Sequence, residues 1–500
     1  MKILIIGASG FLGKKLFALL SKRHAVCGTY FKKNGGELKY LDITKKNDVD
    51  DFILLLKPDV VIHTAAIISA DFCEKERDKA RSMNIGGTQN IVEACKKLGS
   101  KLVYISSDYV FDGEKSPYKE GDKREPVNYY GHTKLEAEKI IEKNLSDYII
   151  LRPGILCGYN DSNDNKDFVS YVLKNLKDNQ SIKVDNKVIK YPILIDDLSY
   201  AIEKLLDMGG QGVYHAASQK GVTRYGWALK IAETFKLSKN KIEPTIEQHV
   251  AKKPNNVLLD SSKISRLNIK FNDIDDGLKI LKNQIGCMFK MIYSVRPDKL
   301  ILNQNTSIFR IDVGKELAKE DQTKADAVIP IPESGLYAAT GYSAESKIPL
   351  YFGLIRDYVT GRTLFNPRLE NRNKDLRKKM IVVPDVVRDK RIILIDEAII
   401  SGTTMAVVIE KLEEAGVKEI HVRIPAPPMC SMCTNRVLDC SKERLIASKY
   451  DKGEDYKERK KNIEAGLAKF FKVTSLKFLE LDSFVNTLKT KSDACYECFG

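Results

Sequence analysis

The sequence lacks any apolar run long enough for a membrane helix, and it lacks a glycine- or proline-rich stretch that would mark a flexible linker. A helix that spans a bilayer needs about 20 apolar residues. The first strand-like segment, Lys2–Ile6, runs directly into a glycine turn, where a signal peptide would have its cleavage site. We therefore expect a cytoplasmic protein with no membrane partner.

Acidic residues are too few to balance the basic ones, and the formal net charge is +15. A basic protein can bind nucleic acid, but these lysines are scattered and are not interleaved with aromatic side chains as on a nucleic-acid platform. We expect no nucleic-acid partner. Phosphorylated small molecules are the favoured ligands, and solvated surface lysine accounts for much of the excess charge.

The chain of 500 residues exceeds the size of one ordinary core. Its pattern changes near 281–286, which predicts two domains, 1–283 and 284–500. The first half contains isolated cysteines, whereas the second contains the pairs Cys430–x–x–Cys433 and Cys495–x–x–Cys498. In a cytosolic chain such pairs indicate a metal before they indicate disulfides.

A glycine-rich turn opens the first half. The apolar segment Lys2–Ile6 is followed by Gly7, Gly10 and Gly13 in the sequence GASGFLG, and then by an amphipathic segment. Glycines at this spacing let the backbone approach a pyrophosphate at a helix N-terminus. Strand and helix patterns then alternate, which predicts an α/β fold with a doubly wound parallel sheet of the Rossmann type.

The residues after the second predicted strand bear on which dinucleotide binds. Lys32 and Lys33 follow this strand, and no acidic residue appears before Glu37. Two cations suit the 2′-phosphate of NADPH better than the free ribose of NADH, although NADH remains possible. Asp42 is placed to accept a hydrogen bond from the adenine amino group, or it is a turn aspartate.

Three residues suggest the chemistry of the first half. Tyr130 and Lys134 are spaced i, i+4 and share one helix face. We expect the ammonium to lower the pKa of the phenol, which is ordinarily about 10, so that Tyr130 can exchange protons near neutrality. Ser107 supplies a hydroxyl that can orient a substrate carbonyl.

These motifs make residues 1–283 resemble an extended short-chain dehydrogenase/reductase of the dTDP-4-dehydrorhamnose reductase family. The resemblance implies that Tyr130 donates a proton, that Lys134 tunes it and binds ribose, and that NADPH delivers hydride to a nucleotide-linked keto sugar. The same family includes a regulatory subunit of methionine adenosyltransferase, so the fold can also serve as a binding module. The matching segments are Gly7–Gly13, Ser106–Gly113, Tyr130–Glu138, Arg152–Gly154 and Tyr191–Leu198.

The stretch Arg391–Met405 suggests a phosphate site in the second half. Apolar residues precede the acidic pair Asp396 and Glu397, and a small-residue turn at 401–404 opens a helix. Amides at a helix N-terminus bind phosphate, while carboxylates bind sugar hydroxyls or hydrated Mg2+. Phosphoribosyl pyrophosphate (PRPP) fits this arrangement, and a plain strand-turn-helix joint with a surface acidic pair is the alternative.

From Cys287 onward the chain resembles the phosphoribosyltransferase half of glutamine PRPP amidotransferase, the first enzyme of purine synthesis. This implies a type I phosphoribosyltransferase-like α/β domain. Asp396 and Glu397 would hold ribose hydroxyls and Mg2+, Ser334 would add a metal ligand, and a loop with Arg362 would close over PRPP. The 5-phosphate would bind at Ser401, Gly402, Thr403 and Thr404. The matching segments are Cys287–Asp298, Val328–Gly335, Gly361–Thr363, Arg391–Met405, Glu414–Gly416 and Cys495–Gly500.

Some amidotransferases carry a structural 4Fe-4S cluster, and the resemblance gives its ligands as Cys287, Cys433, Cys495 and Cys498. Zinc on the same four residues is the alternative metal, and Cys430 is an alternative ligand.

The sequence departs from the amidotransferase pattern in its missing glutaminase half. Ammonia would therefore come from a separate glutaminase subunit or from solution, or another amine would attack PRPP. Glu397 replaces a usual aspartate and Ser401 a usual arginine, which leaves the acceptor open. We expect a bifunctional homo-oligomeric enzyme. The alternative is that one half only binds, as a PRPP sensor or as a Rossmann scaffold.

Overall fold

The computed structural model of the protein describes residues 1–32, 36–159, 167–302, 304–357, 380–433, 435, 437, 442–491 and 494–499. The chain divides into two compact units, Met1–Leu281 and Lys282–Gly500. The boundary between them falls within one helix, Ile274–Ile285. Each unit contains its own parallel sheet.

Seven parallel strands form the main sheet of the first unit. The strands of this unit are β1 (Lys2–Ile6), β2 (Ala25–Tyr30), β3 (Lys39–Tyr40), β4 (Val60–His63), β5 (Lys101–Ile105), β6 (Tyr148–Pro153), β7 (Leu156–Cys157), β8 (Ile182–Asp185), β9 (Ile189–Lys190), β10 (Ile193–Leu194), β11 (Gly212–Ala216), β12 (Val222–Thr223) and β13 (Ile242–Thr245). The sheet order is β11-β6-β5-β4-β1-β2-β3. The strand order reverses between β1 and β4, and ligands of such sheets bind at the carboxyl ends of the strands there.

Helices cover both faces of this sheet. The helices of the unit are α1 (Phe11–Leu20), α2 (Lys46–Leu56), α3 (Ala70–Lys75), α4 (Arg77–Ala80), α5 (Gly87–Leu98), α6 (Tyr129–Asn144), α7 (Phe168–Lys177), α8 (Ile195–Asp207), α9 (Arg224–Thr234), α10 (Ser262–Ser265) and α11 (Ile274–Ile285). Of these, α7 and α9 pack on the short strands β8, β12 and β13 instead of the main sheet. In β1, Ile3 and Ile5 pack in one core with α1 and α8, while Leu4 and Ile6 pack in another with α2 and α5. This alternation explains why the strand is apolar throughout, and the predicted doubly wound sheet is confirmed.

One helical stretch differs from a simple α-helix. The sequence pattern predicts a single helix near 80–98, whereas the structure has α4, a wider π-helical turn at Arg81–Gly86, and then α5. The wide turn carries Asn84, whose amide accepts a hydrogen bond from the Ile67 N–H and donates one to the Ile67 carbonyl oxygen. The buried amide thereby holds the loop that follows β4.

A four-stranded parallel sheet forms the centre of the second unit, in the order β16-β19-β20-β21. The strands of this unit are β14 (Leu300–Ile301), β15 (Gln304–Asn305), β16 (Ala327–Pro330), β17 (Leu354–Arg356), β18 (Met380–Val382), β19 (Arg391–Ile395), β20 (Glu419–Ile424) and β21 (Ser475–Phe478). Its helices are α12 (Thr306–Lys319), α13 (Leu336–Ser346), α14 (Pro384–Val387), α15 (Thr403–Glu414), α16 (Tyr456–Phe471) and α17 (Leu481–Asn486). Ile392–Ile395 are fully buried between the helix layers, and a second parallel-sheet domain is confirmed.

In the part of the chain that the structure describes, no helix combines the length and the apolar character that crossing a membrane requires.

Candidate active sites

The glycine turn of the first unit lies at the carboxyl end of β1. Gly7 has a φ of +86°, and the Gly10 N–H donates a hydrogen bond to its carbonyl oxygen at 2.9 Å. A Cβ at Gly13 would lie 2.2 Å from that same oxygen, so the helix can approach the turn only because this residue is glycine. Gly10 caps α1 without a side-chain hydrogen bond. The first amides of α1 are therefore suited to bind a pyrophosphate.

The structure describes only some of the residues that we expect at the adenosine ribose. Lys32 is exposed after β2, and Lys33 lies outside the described residues. Asp42 Oδ1 accepts hydrogen bonds from the Thr44 N–H at 3.0 Å and from the Thr44 hydroxyl at 2.7 Å. The structure thus gives Asp42 the turn role that the sequence allowed, and its contact with adenine stays a prediction.

Ser107, Tyr130 and Lys134 come together beside the glycine turn. Ser107 follows β5, whose carboxyl end shares an edge of the sheet with that of β1, and its hydroxyl lies close enough to Tyr130 to affect the pKa of the phenol. The Asn128 side chain caps α6 by accepting a hydrogen bond from the Gly131 N–H at 2.9 Å, which fixes the first turn and Tyr130 with it. The Lys134 ammonium donates to the Ile105 carbonyl oxygen at 2.9 Å and lies 6.0 Å from the Tyr130 ring centre.

The predicted lowering of the Tyr130 pKa is wrong. Burial raises the pKa of Tyr130 above its ordinary value, and the nearby Ser107 hydroxyl offsets only part of that rise. Burial also lowers the pKa of Lys134 to about 8. The sequence spacing of Tyr130 and Lys134 could not reveal these two pKa shifts, because it gives no measure of how much water the folded site excludes.

The acidic pair of the second unit follows β19 and is buried. Ser334 Oγ donates a hydrogen bond to Asp396 Oδ1 at 2.7 Å, and the Glu397 N–H donates to the same oxygen at 2.9 Å. Glu397 Oε2 is buried and has no hydrogen-bond partner among the described residues. Burial and the neighbouring Asp396 raise the pKa of Glu397 to about 10, and burial also raises the pKa of Asp396. An unpaired buried carboxylate oxygen fits a site for a cation such as Mg2+.

The turn at 401–404 leads into α15. Gly402 has a φ of +74° and caps α15 without a side-chain hydrogen bond, so the first amides of the helix are open to an anion. A Cβ at Gly402 would lie 2.9 Å from the Phe471 ring. The hydroxyls of Ser401 and Thr403 are 3.1 Å apart, and Thr404 is half-buried in the first turn. Arg362 lies outside the described residues.

The four cysteines named as cluster ligands line one small cavity, namely Cys287, Cys433, Cys495 and Cys498. Cys430 does not line it. The Val437 N–H donates a hydrogen bond to the Cys433 sulfur at 3.3 Å, and the Asn435 amide donates to the Cys495 sulfur at 3.5 Å. N–H donors of this kind stabilise thiolates. Among the described side chains, no three His, Cys, Asp or Glu residues form a site for a single metal ion.

A family model described as "RmlD substrate binding domain" matches residues 1–285. The chain belongs to the RmlD substrate binding domain family. The RmlD-type unit is 29% identical in sequence to a dTDP-4-dehydrorhamnose reductase from Bacillus anthracis crystallised with NADP, with a TM-score of 0.51 and coverage of 56% of this chain and 98% of that chain. It is also 31% identical to bovine (Bos taurus) methionine adenosyltransferase 2 subunit beta, over 54% of this chain and 83% of that protein.

The second unit contains a phosphoribosyl transferase domain, whose family model matches residues 304–431. It is 36% identical over 205 residues to an amidophosphoribosyltransferase from Methanothermobacter thermautotrophicus. The match covers 41% of this chain and 41% of that relative. The RmlD-type unit and the phosphoribosyltransferase domain together indicate an enzyme.

Sequence reasoning missed two buried cations near these sites. Arg310 on α12 donates to the carbonyl oxygens of Met291 and Val295, and its charge acts on Glu397. Lys190 of the RmlD-type unit donates to the Tyr109 hydroxyl at 3.2 Å. A charged residue within an apolar pattern was the available signal, since Arg310 directly follows Phe309 and Lys190 directly follows Ile189.

Proposed function

We propose that the protein is a bifunctional enzyme. Its first unit is an NADPH-dependent reductase of a nucleotide-linked keto sugar, and its second unit is a Mg2+-dependent phosphoribosyltransferase that uses PRPP. The observation that carries the proposal is the meeting of Ser107, Tyr130 and Lys134 at the sheet edge that also holds the glycine turn. We propose a cytoplasmic homo-oligomer that acts on small molecules.

In the proposed reductase site, Tyr130 donates the proton that the carbonyl oxygen needs when hydride reaches its carbon. The hydroxyl of Ser107 holds that oxygen beside Tyr130. Lys134 binds the nicotinamide ribose and supplies a positive charge. The exposed Lys32 and the NADP-bound relative support NADPH as the reductant, with Lys33 as a second phosphate ligand and NADH as the weaker alternative.

In the proposed transferase site, an amine displaces pyrophosphate from the anomeric carbon of PRPP. The amides and hydroxyls of 401–404 would hold the 5-phosphate, while Asp396 and Glu397 would hold ribose hydroxyls and, with Ser334, Mg2+. A bound Mg2+ would neutralise the departing pyrophosphate. Similarity to amidophosphoribosyltransferases supports ammonia as the amine, supplied from solution or by a separate glutaminase subunit. We propose Arg362 as a further PRPP ligand on the basis of the sequence resemblance alone.

We further propose that Cys287, Cys433, Cys495 and Cys498 bind a structural 4Fe-4S cluster, which would fix the C-terminal segment of the unit. Each cysteine of such a cluster binds a different iron, so the sulfurs lie farther apart than around a single zinc ion. The four cysteines line one cavity, which supports a metal group that they share, and zinc on the same four residues is the alternative.

Two assays on the full chain test the proposal. NADPH oxidation is followed with dTDP-linked 4-keto sugars, and pyrophosphate release is followed with PRPP, Mg2+ and ammonia. Tyr130→Phe should abolish only the first activity, and Asp396→Asn only the second. Absence of both activities from the wild-type protein across keto sugars and amines would reject the bifunctional proposal.

A second candidate function is that the first unit only binds and regulates. It is favoured by the similarity to methionine adenosyltransferase 2 subunit beta, which covers most of that protein. In this case Tyr130→Phe would leave every activity of the chain unchanged, while NADPH binding would alter the rate of pyrophosphate release. The corresponding alternative for the second unit is a PRPP sensor that changes the rate of NADPH oxidation without consuming PRPP.

A further inference from the structure

Asn435 is a buried residue beside the proposed metal ligands of the second unit. Only 5% of it is exposed, and it lines the cavity that the four cysteines share. Its side-chain amide donates one hydrogen bond to the Cys495 sulfur at 3.5 Å and another to Glu497 Oε2 at 3.1 Å. An asparagine amide has two N–H donors, and both are thus used at this cavity.

Glu497 fixes the orientation of the Asn435 amide. Asn283 Nδ2 donates to Glu497 Oε1 at 3.3 Å and to Asn435 Oδ1 at 3.2 Å. Since a carboxylate only accepts hydrogen bonds, the nitrogen of each amide must face it. The Asn435 oxygen then faces Asn283, and its second N–H faces the sulfur of Cys495. An N–H donor at this position stabilises a thiolate that is bound to a metal.

Asn435 also contacts the end of helix α11. The Gln284 amide donates a hydrogen bond to the Asn435 carbonyl oxygen at 2.9 Å, in addition to the bond from Asn283. Both residues lie in the last turn of α11, and Cys287 follows shortly after it. Asn435 itself lies close to Cys433 in the sequence. Its hydrogen bonds therefore hold the segment of Cys433 to the segment of Cys287.

Backbone hydrogen bonds bring the C-terminal cysteines to the same place. The Cys495 N–H donates to the Gly286 carbonyl oxygen at 2.9 Å, and the Met288 N–H donates to the Cys495 carbonyl oxygen at 3.0 Å. Cys498 lines the same cavity. Three separate segments thus meet here, and metal–sulfur bonds would join them far more strongly than these hydrogen bonds do. The order of the α11 end should then depend on the metal group.

We propose that Asn435 is a positioning residue of the four-cysteine cavity: it orients the Cys495 sulfur toward the metal group and connects that group to the last turn of α11. This inference rests on the proposed metal site, and it adds a residue that is not a ligand and the element that responds to the metal. It applies to an iron–sulfur cluster and to zinc alike, because both bind thiolates. Loss of the metal group would loosen the end of α11.

Metal release from the full-length protein, purified without oxygen, tests the role of Asn435. The iron and zinc contents are measured, and metal loss to a chromogenic chelator is followed over time. Asn435→Ala removes the amide, and Asn435→Asp keeps its shape but not its N–H donors. Both should lose metal about tenfold faster or more. Asn462→Ala is the matched control and should match wild type, since this exposed amide donates to the Lys452 carbonyl oxygen elsewhere in the unit.

The reduction potential separates an effect on the sulfur from a loss of packing. Where the bound metal is iron, the potential of the cluster should be more negative in Asn435→Ala than in wild type. An N–H donor to a cluster sulfur stabilises the electron that reduction adds. A residue that only fills space would leave the potential unchanged.

Hydrogen exchange followed by mass spectrometry tests the connection to α11. Removing the metal from the wild-type protein should speed exchange in a peptide that covers 280–289. In metal-loaded Asn435→Ala this exchange should already be fast, and removing the metal should change it little. Unchanged exchange in β19, the core strand of the same unit, shows that each variant is folded.

The outcomes separate this inference from the metal site itself. Release of metal at the wild-type rate from both Asn435 variants would reject the role of Asn435 and leave the four-cysteine site standing. Exchange at 280–289 that does not respond to the metal in the wild-type protein would reject the connection to α11. A wild-type protein that binds neither iron nor zinc would reject both the metal site and the role of Asn435.

Discussion

The ammonium of Lys134 lies 6.0 Å from the ring centre of Tyr130, but it donates its hydrogen bond to the Ile105 carbonyl oxygen. The lysine is thus held by strand β5, and the tyrosine by the first turn of α6, which the Asn128 side chain caps. The two side chains can therefore act separately, Tyr130 as a proton donor and Lys134 as a fixed positive charge for the bound cofactor.

Tyr130→Phe should lower kcat for NADPH oxidation by about 100-fold or more, because the carbonyl oxygen would lose its proton donor. NADPH affinity should change little, since the ring is retained. Tyr129→Phe, which removes the hydroxyl of the adjacent tyrosine, is the matched control and should retain activity. Steady-state kinetics and a cofactor titration measure both effects. Equal activity of the two variants would remove Tyr130 from the mechanism.

The reductase should lose activity as the pH rises through about 8. Burial lowers the pKa of Lys134 to about 8, so the ammonium is present below that pH and is lost above it. An arginine at this position stays charged, so Lys134→Arg should move the decline in kcat/KM to higher pH. The measurement is the profile of kcat/KM from about pH 6 to 10. An identical alkaline decline in both proteins would show that another group titrates.

Magnesium binding to the second unit should strengthen with pH. The pKa of Glu397 is raised to about 10, so the folded unit keeps a proton that an unfolded carboxyl loses near its ordinary value of 4.5. Without metal, the contribution of Glu397 to stability is therefore lost as the pH rises above 4.5. Mg2+ must displace this proton, and its affinity should rise by up to about tenfold per pH unit.

Calorimetry in buffers with and without Mg2+ tests this coupling. Glu397→Gln should raise the Tm of the metal-free unit by about 2–4 °C. It should also abolish the increase in Tm that Mg2+ produces in the wild-type protein. Glu414→Gln, at the exposed end of α15, should behave as wild type. A Mg2+ response that Glu397→Gln retains in full would place the metal elsewhere.

Cys433→Ser should reduce the bound iron of protein purified without oxygen, because Cys433 lines the four-cysteine cavity. Cys430→Ser should retain the iron and the brown colour, because Cys430 does not line it. Iron analysis and visible absorbance measure both. A colourless wild-type protein that contains zinc would contradict the cluster.

The sequence was sufficient to predict features that local pattern determines. The apolar run of β1, the glycines after it and the acidic pair after β19 all lie where the pattern indicated. Burial and distant contacts were not predictable. The raised pKa of Tyr130 depends on how much water the folded site excludes. The choice of Cys433 over Cys430 in the cavity depends on the path of the chain after β20.

The most direct test of the central claim, that one chain carries two separate sites, is calorimetric titration of the full-length protein with NADPH and with PRPP in Mg2+. We predict one site per chain for each ligand, with neither displacing the other. Gly13→Ala should abolish NADPH binding alone, because its Cβ would lie 2.2 Å from the Gly7 carbonyl oxygen, and Asp396→Asn should weaken PRPP binding alone. Competition between the two ligands, or failure of either to bind the wild-type protein, would contradict the account.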